Sequence, residues 1–221
     1  EDDIIINTIL DLEQFIGQKI HWVSGKTYDE IIVEKGNYLP NPLVRYCTTE
    51  LKMKPIFDWW KKNINEIVYM QIGFRKGEEK RANKMKEQLN ENGNNEIKTI
   101  IGTRGKQNKW GLVEWRKPKF PLIENNINNL AINSYWENNK QVRFEKGYYN
   151  NCVGCFNRGA MFLNKMAQEH GNKLQWFKDQ EIKTKNTFRK EFNYTQIINH
   201  KPQIEIDFED FSSCDSGYCG L

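Results

Sequence analysis

The residues most able to do chemistry in this sequence are its five cysteines, which occur in three places along the chain. Thiolates hold zinc ions and iron–sulfur clusters, and they also act as nucleophiles and redox pairs. One cysteine precedes a lysine-bearing helix start, two form a C-x2-C pair, and two lie near the end of the chain. In order they are Cys47, Cys152, Cys155, Cys214 and Cys219.

The C-x2-C pair can chelate one metal ion or one edge of a cluster. Cys47 with either Cys214 or Cys219 would raise the number of thiolate ligands to four. A [4Fe–4S] cluster or a structural zinc site uses this number of ligands. Two alternatives stay open, namely buried thiols in a tight turn and a redox dithiol that binds no metal.

Four cations are candidates for binding phosphate or sulfate, since guanidinium groups match such anions in a bidentate fashion. They are Arg45, Lys52, Arg75 and Arg81. Arg75 comes directly after a predicted strand, and open α/β sheets bind ligands outside the carboxyl ends of their strands. The alternative for Lys52 and Arg81 is that they are solvated charges on helix surfaces.

The span from Lys98 to Lys119 alternates basic residues with Trp110 and Trp115. Aromatic rings among cations can stack bases and bind phosphates, so nucleic acid is a possible partner. The alternative is a solvated hairpin whose two tryptophans pack inward. The three histidines show no metal-ligand spacing.

The elements that must position these residues follow from apolar periodicity. Apolar residues spaced three and four apart predict a first helix that Gly17 ends, and Pro55 predicts a kink or a restart in the helix after Cys47. A nearly continuous apolar run from Ile67 to Phe74 predicts a buried parallel strand. Further helices are predicted over 28–35, 78–89, 125–138, 156–168 and 173–183, a hairpin or a long insertion over 98–119, and short strands over 19–23 and 120–123.

Strands that alternate with helices predict an α/β fold, an open and mainly parallel sheet flanked by helices. We expect one such domain over residues 1–200, followed by a cysteine-containing tail over 201–221. At 221 residues the chain is long enough for one substantial core, and its 38% hydrophobic and 28% charged residues are typical of a soluble globular protein.

Charge and composition narrow the classes of partner and compartment. The net charge of +4 and the sequence pI of about 8.7 favour anionic ligands such as nucleotides, but they are too small to predict nucleic-acid binding alone. No apolar run approaches the roughly 18 residues that a membrane span needs. An odd number of cysteines at low density is unlike a disulfide-stapled secreted scaffold, so we expect a cytoplasmic protein whose thiols are reduced or bound to metal.

Several of these residues occur in the order of a known family. They are Arg45-Tyr46-Cys47 with Lys52 and Pro55, Ile72-Gly73-Phe74-Arg75 with Glu79 and Arg81, and Phe120-Pro121-Leu122-Ile123 with Trp136, Gly147-Tyr148 and Cys152. In these motifs the chain resembles the phosphoadenosine phosphosulfate (PAPS) / adenosine phosphosulfate (APS) reductase family, a branch of the PP-loop adenine-nucleotide-binding superfamily. The terminal Cys219-Gly220-Leu221 is similar to the catalytic tail of the reductases.

The resemblance implies an adenine nucleotide alpha hydrolase-like fold and a sulfonucleotide reductase-like enzyme with PAPS, APS or ATP with Mg²⁺ as its nucleotide. A thioredoxin-like protein would be the reductant. The implied residues are Cys219 as the nucleophile, Arg45, Lys52, Gly73, Arg75 and Arg81 at the nucleotide, and Cys47, Cys152, Cys155 and Cys214 as ligands of a [4Fe–4S] cluster or, alternatively, of zinc.

The chain departs from the family pattern at two points. The family's phosphate-binding PP-loop does not occur in this sequence, so we expect it in a segment before Glu1, and the fold here to lack its first βα unit. The chain carries the single Cys47 where the iron–sulfur APS reductases have an adjacent pair.

Two further functions stay open from the sequence. The first is an ATP-dependent sulfurtransferase, an ATP pyrophosphatase that acts on nucleic acid or a small molecule. The second is a zinc-stabilised binding module without enzymatic activity. Mg²⁺-dependent cleavage of ATP without sulfite release would identify the former. Stoichiometric zinc and unfolding by a chelator would identify the latter.

Overall fold

The computed structural model describes residues 2–144 and 152–201, which form two compact units. The first unit consists of residues 2–53, 140–144 and 152–201, and the second consists of residues 54–139. Cys214, Cys219 and the predicted Gly147-Tyr148 motif lie outside the described residues.

Helices and a small sheet make up the regular structure of the described residues. In chain order the elements are α1 (Asp3–Ile16), α2 (Tyr28–Glu34), α3 (Tyr46–Thr48), a π-helical turn (Thr49–Met53), α4 (Lys54–Asn63), β1 (Val68–Gln71), α5 (Glu79–Lys86), β2 (Asn95–Arg104), β3 (Gln107–Lys119), α6 (Pro121–Glu124), α7 (Asn129–Asn138), α8 (Ala160–His170), a 3₁₀ turn (Gly171–Leu174), α9 (Gln175–Thr184) and α10 (Tyr194–Asn199).

The predicted first helix is confirmed as α1, and its two ends follow local rules. Asp2 caps the N-terminus, because its Oδ1 accepts a hydrogen bond from the Ile4 N–H at 3.3 Å. Gly17 ends the helix with a left-handed φ of +64°. The other predicted helices are also present with shifted bounds, as α2, α5, α7, α8 and α9.

The core of the first unit lies around α8, α9 and α10. Its buried side chains are Ile32, Leu39, Phe156, Leu163, Met166, Leu174, Phe177, Phe188, Tyr194 and Ile197. The buried Glu181 of α9 accepts hydrogen bonds from the backbone N–H groups of Phe188 at 3.1 Å and Tyr194 at 2.7 Å. Burial raises the pKa of Glu181, whereas these two hydrogen bonds lower it. This carboxyl group therefore fixes the segment between α9 and α10.

The second unit contains a three-stranded sheet in the order β1-β3-β2. β1 pairs in parallel with β3, as predicted for the run from Ile67 to Phe74, but it covers only Val68–Gln71. The prediction that this strand is buried is wrong, because its residues alternate between half-buried and exposed. β2 and β3 pair antiparallel as the predicted hairpin. Ile101 in β2 and Trp115 in β3 have no residue opposite them, so each is the extra residue of a β-bulge.

Two short strands that the sequence predicts are helical or irregular instead. Residues 19–23 have no regular secondary structure, and Pro121 begins the short helix α6 in place of a strand. Proline is favoured in a first helical turn because the missing N–H would have no partner there. The described residues therefore form a mixed α/β fold with a small mixed sheet, and the larger open parallel sheet stays a prediction.

An exposed ion pair gives the first unit a pH-dependent contribution to stability. Arg143 Nε lies 2.7 Å from Asp11 Oδ2, and Nη2 donates to Oδ1 at 2.9 Å. The side-chain hydrogen bonds from Arg143, and then its backbone N–H, lower the pKa of Asp11 from 3.8 to about 2. A lowered folded-state pKa adds stability that is complete above the unfolded pKa and is lost as the pH falls through the folded one.

We therefore expect Asp11→Asn to be less stable than the wild type at neutral pH, and this difference to vanish as the pH falls from 3.8 to about 2. Urea unfolding of both proteins at neutral pH and across that window measures it. A difference that persists unchanged at the lowest pH would show that the ionised pair is not its cause.

Candidate functional site

Cys47 lies in a short helical segment with irregular geometry. It belongs to α3, which is followed by the π-helical turn Thr49–Met53 and then by α4. Pro55 has no N–H to donate to the carbonyl of Leu51, so regular α-helical bonding cannot continue there. The kink predicted from Pro55 therefore takes the form of a π-helical turn, a geometry that is frequent at functional sites.

Tyr28 connects Cys47 to the cysteine pair. It opens α2 directly after Thr27, which forms a capping box with Glu30. The Tyr28 hydroxyl and the Cys47 thiol share a hydrogen bond, and Cys152 lies close enough to affect the ionisation of Tyr28. Burial, followed by these two neighbours, raises the pKa of Tyr28 far above its usual range. Cys47 and Cys152, about a hundred residues apart in sequence, therefore adjoin the same side chain.

The C-x2-C pair lies in a tight turn against α9. The Cys155 N–H donates to the Cys152 carbonyl at 3.1 Å, and the buried Tyr194 hydroxyl donates to the Gly154 carbonyl at 2.6 Å. An added Cβ at Gly154 would lie 2.4 Å from Cδ2 of Phe177. The turn thus needs glycine at this position because it packs directly on an aromatic ring.

A cavity of about 610 Å³ adjoins this cysteine turn in the first unit. A thiol, aromatic rings and lysines are among the side chains that line it. They include Cys152, Tyr28, Trp176, Phe177, Lys26, Lys52 and Lys173. The Tyr28 and Trp176 ring centroids are 4.9 Å apart, so the two rings form one aromatic wall.

The charges around the cavity favour an anion. Lys26 pairs with Glu34, and Lys173 Nζ lies 2.6 Å from Asp2 Oδ1. Lys52 has no ion pair within residues 2–144 and 152–201. Asp29, the acidic side chain of the lining, accepts hydrogen bonds from Trp176 Nε1 at 3.2 Å and Gln180 Nε2 at 2.7 Å. The cavity therefore combines one uncompensated cation with two that already have carboxylate partners.

The other predicted anion-binding residues lie elsewhere. Arg45 is half-buried at the start of α3, whereas Gly73, Arg75 and Arg81 belong to the second unit. Both guanidinium groups there share one buried carboxylate. Glu78 Oε1 is 2.7 Å from Arg81 Nη1, and Glu78 Oε2 is 3.6 Å from Arg75 Nε.

Arg75 and Arg81 have further partners inside the second unit. Arg75 Nη1 donates to Asn129 Oδ1 at 2.8 Å, and the Arg81 guanidinium lies 4.2 Å from the centre of the Phe74 ring. These contacts hold both side chains in fixed positions and offset part of their charge. Arg75 and Arg81 therefore have a structural role in the second unit, and anion binding by them stays a prediction.

The predicted metal ligands are only partly described. Cys47, Cys152 and Cys155 are thiols rather than disulfides, and Cys214 lies outside the described residues. Within the described ranges, no three His, Cys, Asp or Glu side chains form a group that could hold a metal ion. Cys152 and Cys155 both adjoin Tyr194, and burial raises its pKa, with these cysteines adding to the effect. The described thiols thus surround two tyrosines and do not make up a complete ligand set.

The sequence analysis identified Lys52 and Cys152 but not three other residues that line the cavity, Lys26, Asp29 and Trp176. Lys26 precedes the Thr27–Glu30 capping box and Asp29 lies within it, and this local signal marks a helix start but no ligand. Trp176 is held by Asp29, 147 residues earlier in the chain. No local pattern in one sequence predicts a contact over that separation.

Comparison with protein-family models, with curated proteins and with solved structures found no match for this chain. The resemblance to the reductase family therefore stays a prediction from the sequence motifs. A separate inspection of the described helices found none that is both long and apolar enough to cross a membrane.

Proposed function

We propose that the protein is a PAPS/APS reductase-like enzyme that binds an adenine sulfonucleotide in the cavity of the first unit. The observation that supports this most is the meeting of Cys152, Lys52 and an aromatic wall in one cavity. Its volume of about 610 Å³ lies within the range of small-molecule sites, roughly 300–1,000 Å³.

Each part of the cavity suits one part of such a nucleotide. Lys52 would bind phosphate or sulfate as a cation that has no carboxylate partner in the described residues. The Tyr28–Trp176 wall offers ring faces on which a purine can stack. Asp29 uses its carboxylate oxygens for Trp176 and Gln180, which holds the wall in place.

The proposed reaction uses a thiolate of the C-terminal segment. The Cys219 thiolate would attack the sulfur of the sulfonucleotide, forming an S–S bond while the S–O bond to phosphate breaks and its electron pair leaves on the nucleotide. A thioredoxin-like dithiol would then attack the Cys219 sulfur, release sulfite and become a disulfide after its second thiol restores Cys219.

A metal centre held by cysteines would be a second component of the proposed enzyme, separate from nucleotide binding. A [4Fe–4S] cluster or a zinc ion would use Cys47, Cys152 and Cys155 with Cys214, and thiolate ligands are compatible with either. Within the described residues these thiols do not form a complete ligand set. Iron, sulfide and zinc contents of protein purified without oxygen test this part independently of nucleotide binding.

The proposed function also implies a particular fold around the described sheet. We infer that the described sheet is part of the open, mainly parallel sheet of an adenine nucleotide alpha hydrolase-like fold. The parallel pairing of β1 with β3 and the position of α5 between them in the chain support this.

Nucleotide binding by Lys52 is the test of the proposed function. We expect calorimetry to detect binding of APS or PAPS, and Lys52→Ala to weaken it roughly ten- to hundredfold, since a hydrogen bond to a charged group is lost. Lys165→Ala is the matched control, because Lys165 lies in the same unit, 3.7 Å from Glu169 and outside the cavity lining.

Three outcomes would contradict the proposal or replace it. Unchanged affinity in Lys52→Ala would place the nucleotide elsewhere. Binding of ATP with Mg²⁺ and its cleavage without sulfite release would identify the sulfurtransferase alternative. Stoichiometric zinc without nucleotide binding, together with unfolding by a chelator, would identify a zinc-stabilised binding module.

A further inference from the structure

The outer part of the β2–β3 hairpin, residues 98–112, extends from the sheet as an exposed ribbon that we call the hairpin arm. Every residue from 100 to 110 is exposed. The strands turn at Gly105, whose φ of +62° is a left-handed conformation that glycine adopts without strain. The arm of β2 from residue 98 to 104 is about 20 Å long at roughly 3.3 Å per residue. Because residues 100–110 are exposed, this part of the arm does not contribute to the packing of the sheet, which points to a separate function for it.

The arm carries a concentrated positive charge. Its cations are Lys98, Arg104, Lys106 and Lys109, and no acidic residue lies between Glu96 and Glu114. Within the described ranges none of these four cations forms an ion pair. Glu114, at the base, accepts hydrogen bonds from Asn92 at 3.2 Å and Asn94 at 2.8 Å, and these contacts keep its pKa below the usual value. Glu96, which lies opposite Glu114 at the base of β2, accepts a hydrogen bond from Asn90 Nδ2 at 3.2 Å, so both carboxylates at the base are bonded to the preceding loop.

One face of the arm is apolar and open. The register places Ile100 opposite Trp110, and Lys98 opposite Leu112, so these four side chains share a face of the ribbon. Trp110 is 57% exposed and Leu112 is 63% exposed. One interpretation of the sequence was a solvated hairpin whose two tryptophans pack inward. It is correct for Trp115, which is 1% exposed, but not for Trp110.

We propose that the hairpin arm binds single-stranded nucleic acid. Trp110 would stack a base on its open ring face, with Ile100 and Leu112 covering the flanks, and the four cations would contact phosphates. Single strands fit better than duplexes, because the bases of a duplex are already stacked and leave no face for Trp110. This site is independent of the nucleotide cavity proposed above.

A protein partner fits the arm less well. The cores of protein–protein interfaces are depleted in lysine and rich in apolar contact area. The arm instead has four exposed apolar side chains, those of Ile100, Ile101, Trp110 and Leu112, among four cations that form no ion pair within the described residues. A nucleic acid offers phosphates to the four cations and an aromatic base that can stack on the ring of Trp110.

Fluorescence anisotropy with labelled oligo(dT) and oligo(rU) of about 15 nucleotides tests the proposal, since the site sizes of such surfaces run to roughly 16 nucleotides. We expect binding that weakens steeply as salt rises from about 50 to about 200 mM. Trp110→Ala should weaken it about ten- to hundredfold. The double variant Lys106→Gln/Lys109→Gln should reduce the salt dependence as phosphate contacts are lost.

Trp22→Ala is the matched control, because Trp22 is 53% exposed in the first unit and does not line the cavity. It should bind like the wild type. Absence of binding at low salt, or equal affinity of Trp110→Ala and Trp22→Ala, would overturn the proposal. So would tighter binding of duplex than of single strand, or a self-associated wild type that Trp110→Ala converts to a monomer.

Discussion

Gly154→Ala is expected to destabilise the protein by about 3 kcal/mol, because overpacking a rigid core contact costs 1–3 kcal/mol and at times more. The added Cβ would lie 2.4 Å and 2.5 Å from two ring carbons of Phe177, which is itself 5% exposed and stacked 5.1 Å from Tyr194. Neither the ring nor the turn can move without disturbing the other. Urea unfolding monitored by circular dichroism measures the change in the free energy of unfolding.

The same variant should also alter the chemistry of the cysteine turn. Displacing Gly154 moves Cys152 and Cys155 relative to Tyr194, whose hydroxyl bonds to the Gly154 carbonyl. We expect a faster reaction of these thiols with a disulfide reagent in native protein. Gly159→Ala is the matched control, since its new Cβ meets no atom within 4 Å, and it should cost less than about 1 kcal/mol. Equal stability losses in the two variants would contradict the packing argument.

Trp115→Ala is expected to cost about 3–5 kcal/mol, the usual range for removing a large buried aromatic side chain. Trp115 is 1% exposed, and its ring centroid lies 5.6 Å from that of Phe57 and 6.0 Å from that of Trp60. The guanidinium of Arg116 also lies 4.5 Å from its centre. Thermal and urea unfolding of the variant measure the loss.

Trp110→Ala is the control for this prediction, because the same residue type is removed from the same strand at an exposed position. We expect a change within about 0.5 kcal/mol, as is usual for surface substitutions. A loss in Trp110→Ala as large as in Trp115→Ala would mean that the arm is part of a packed core. The pair of variants therefore also separates stability from the nucleic-acid binding proposed for Trp110.

Local signals account for most of what the sequence predicted correctly. The first helix follows from apolar periodicity and from Gly17 at its end, and the strand β1 follows from an apolar run, neither of which needs knowledge of distant contacts. The segment from Phe120 to Ile123 shows the limit of this reasoning. Phe120 is buried as expected, but Pro121 favours a helical turn, and a short apolar run does not distinguish the two conformations.

The candidate site was predicted less completely, for the same physical reason. Lys52 and Cys152 were chosen by chemical type, and both line the cavity. Their partners Lys26 and Trp176 come from a loop and a helix that only tertiary packing brings together. Arg75 and Arg81 were chosen as anion ligands, whereas Glu78, three residues from each of them at the start of α5, places a carboxylate within reach of both guanidinium groups.

The two β-bulges of the hairpin also bear on aggregation. β2 is an edge strand of the sheet and carries Ile97, Ile100 and Ile101, and an edge strand of this kind can recruit a strand from another molecule. The bulge at Ile101 interrupts its ladder of backbone groups and increases the local twist, and Lys98 places a charge on the same strand. A second chain would therefore meet a twisted, charged template. The irregularities that shape the hairpin thus also protect it from amyloid-like pairing.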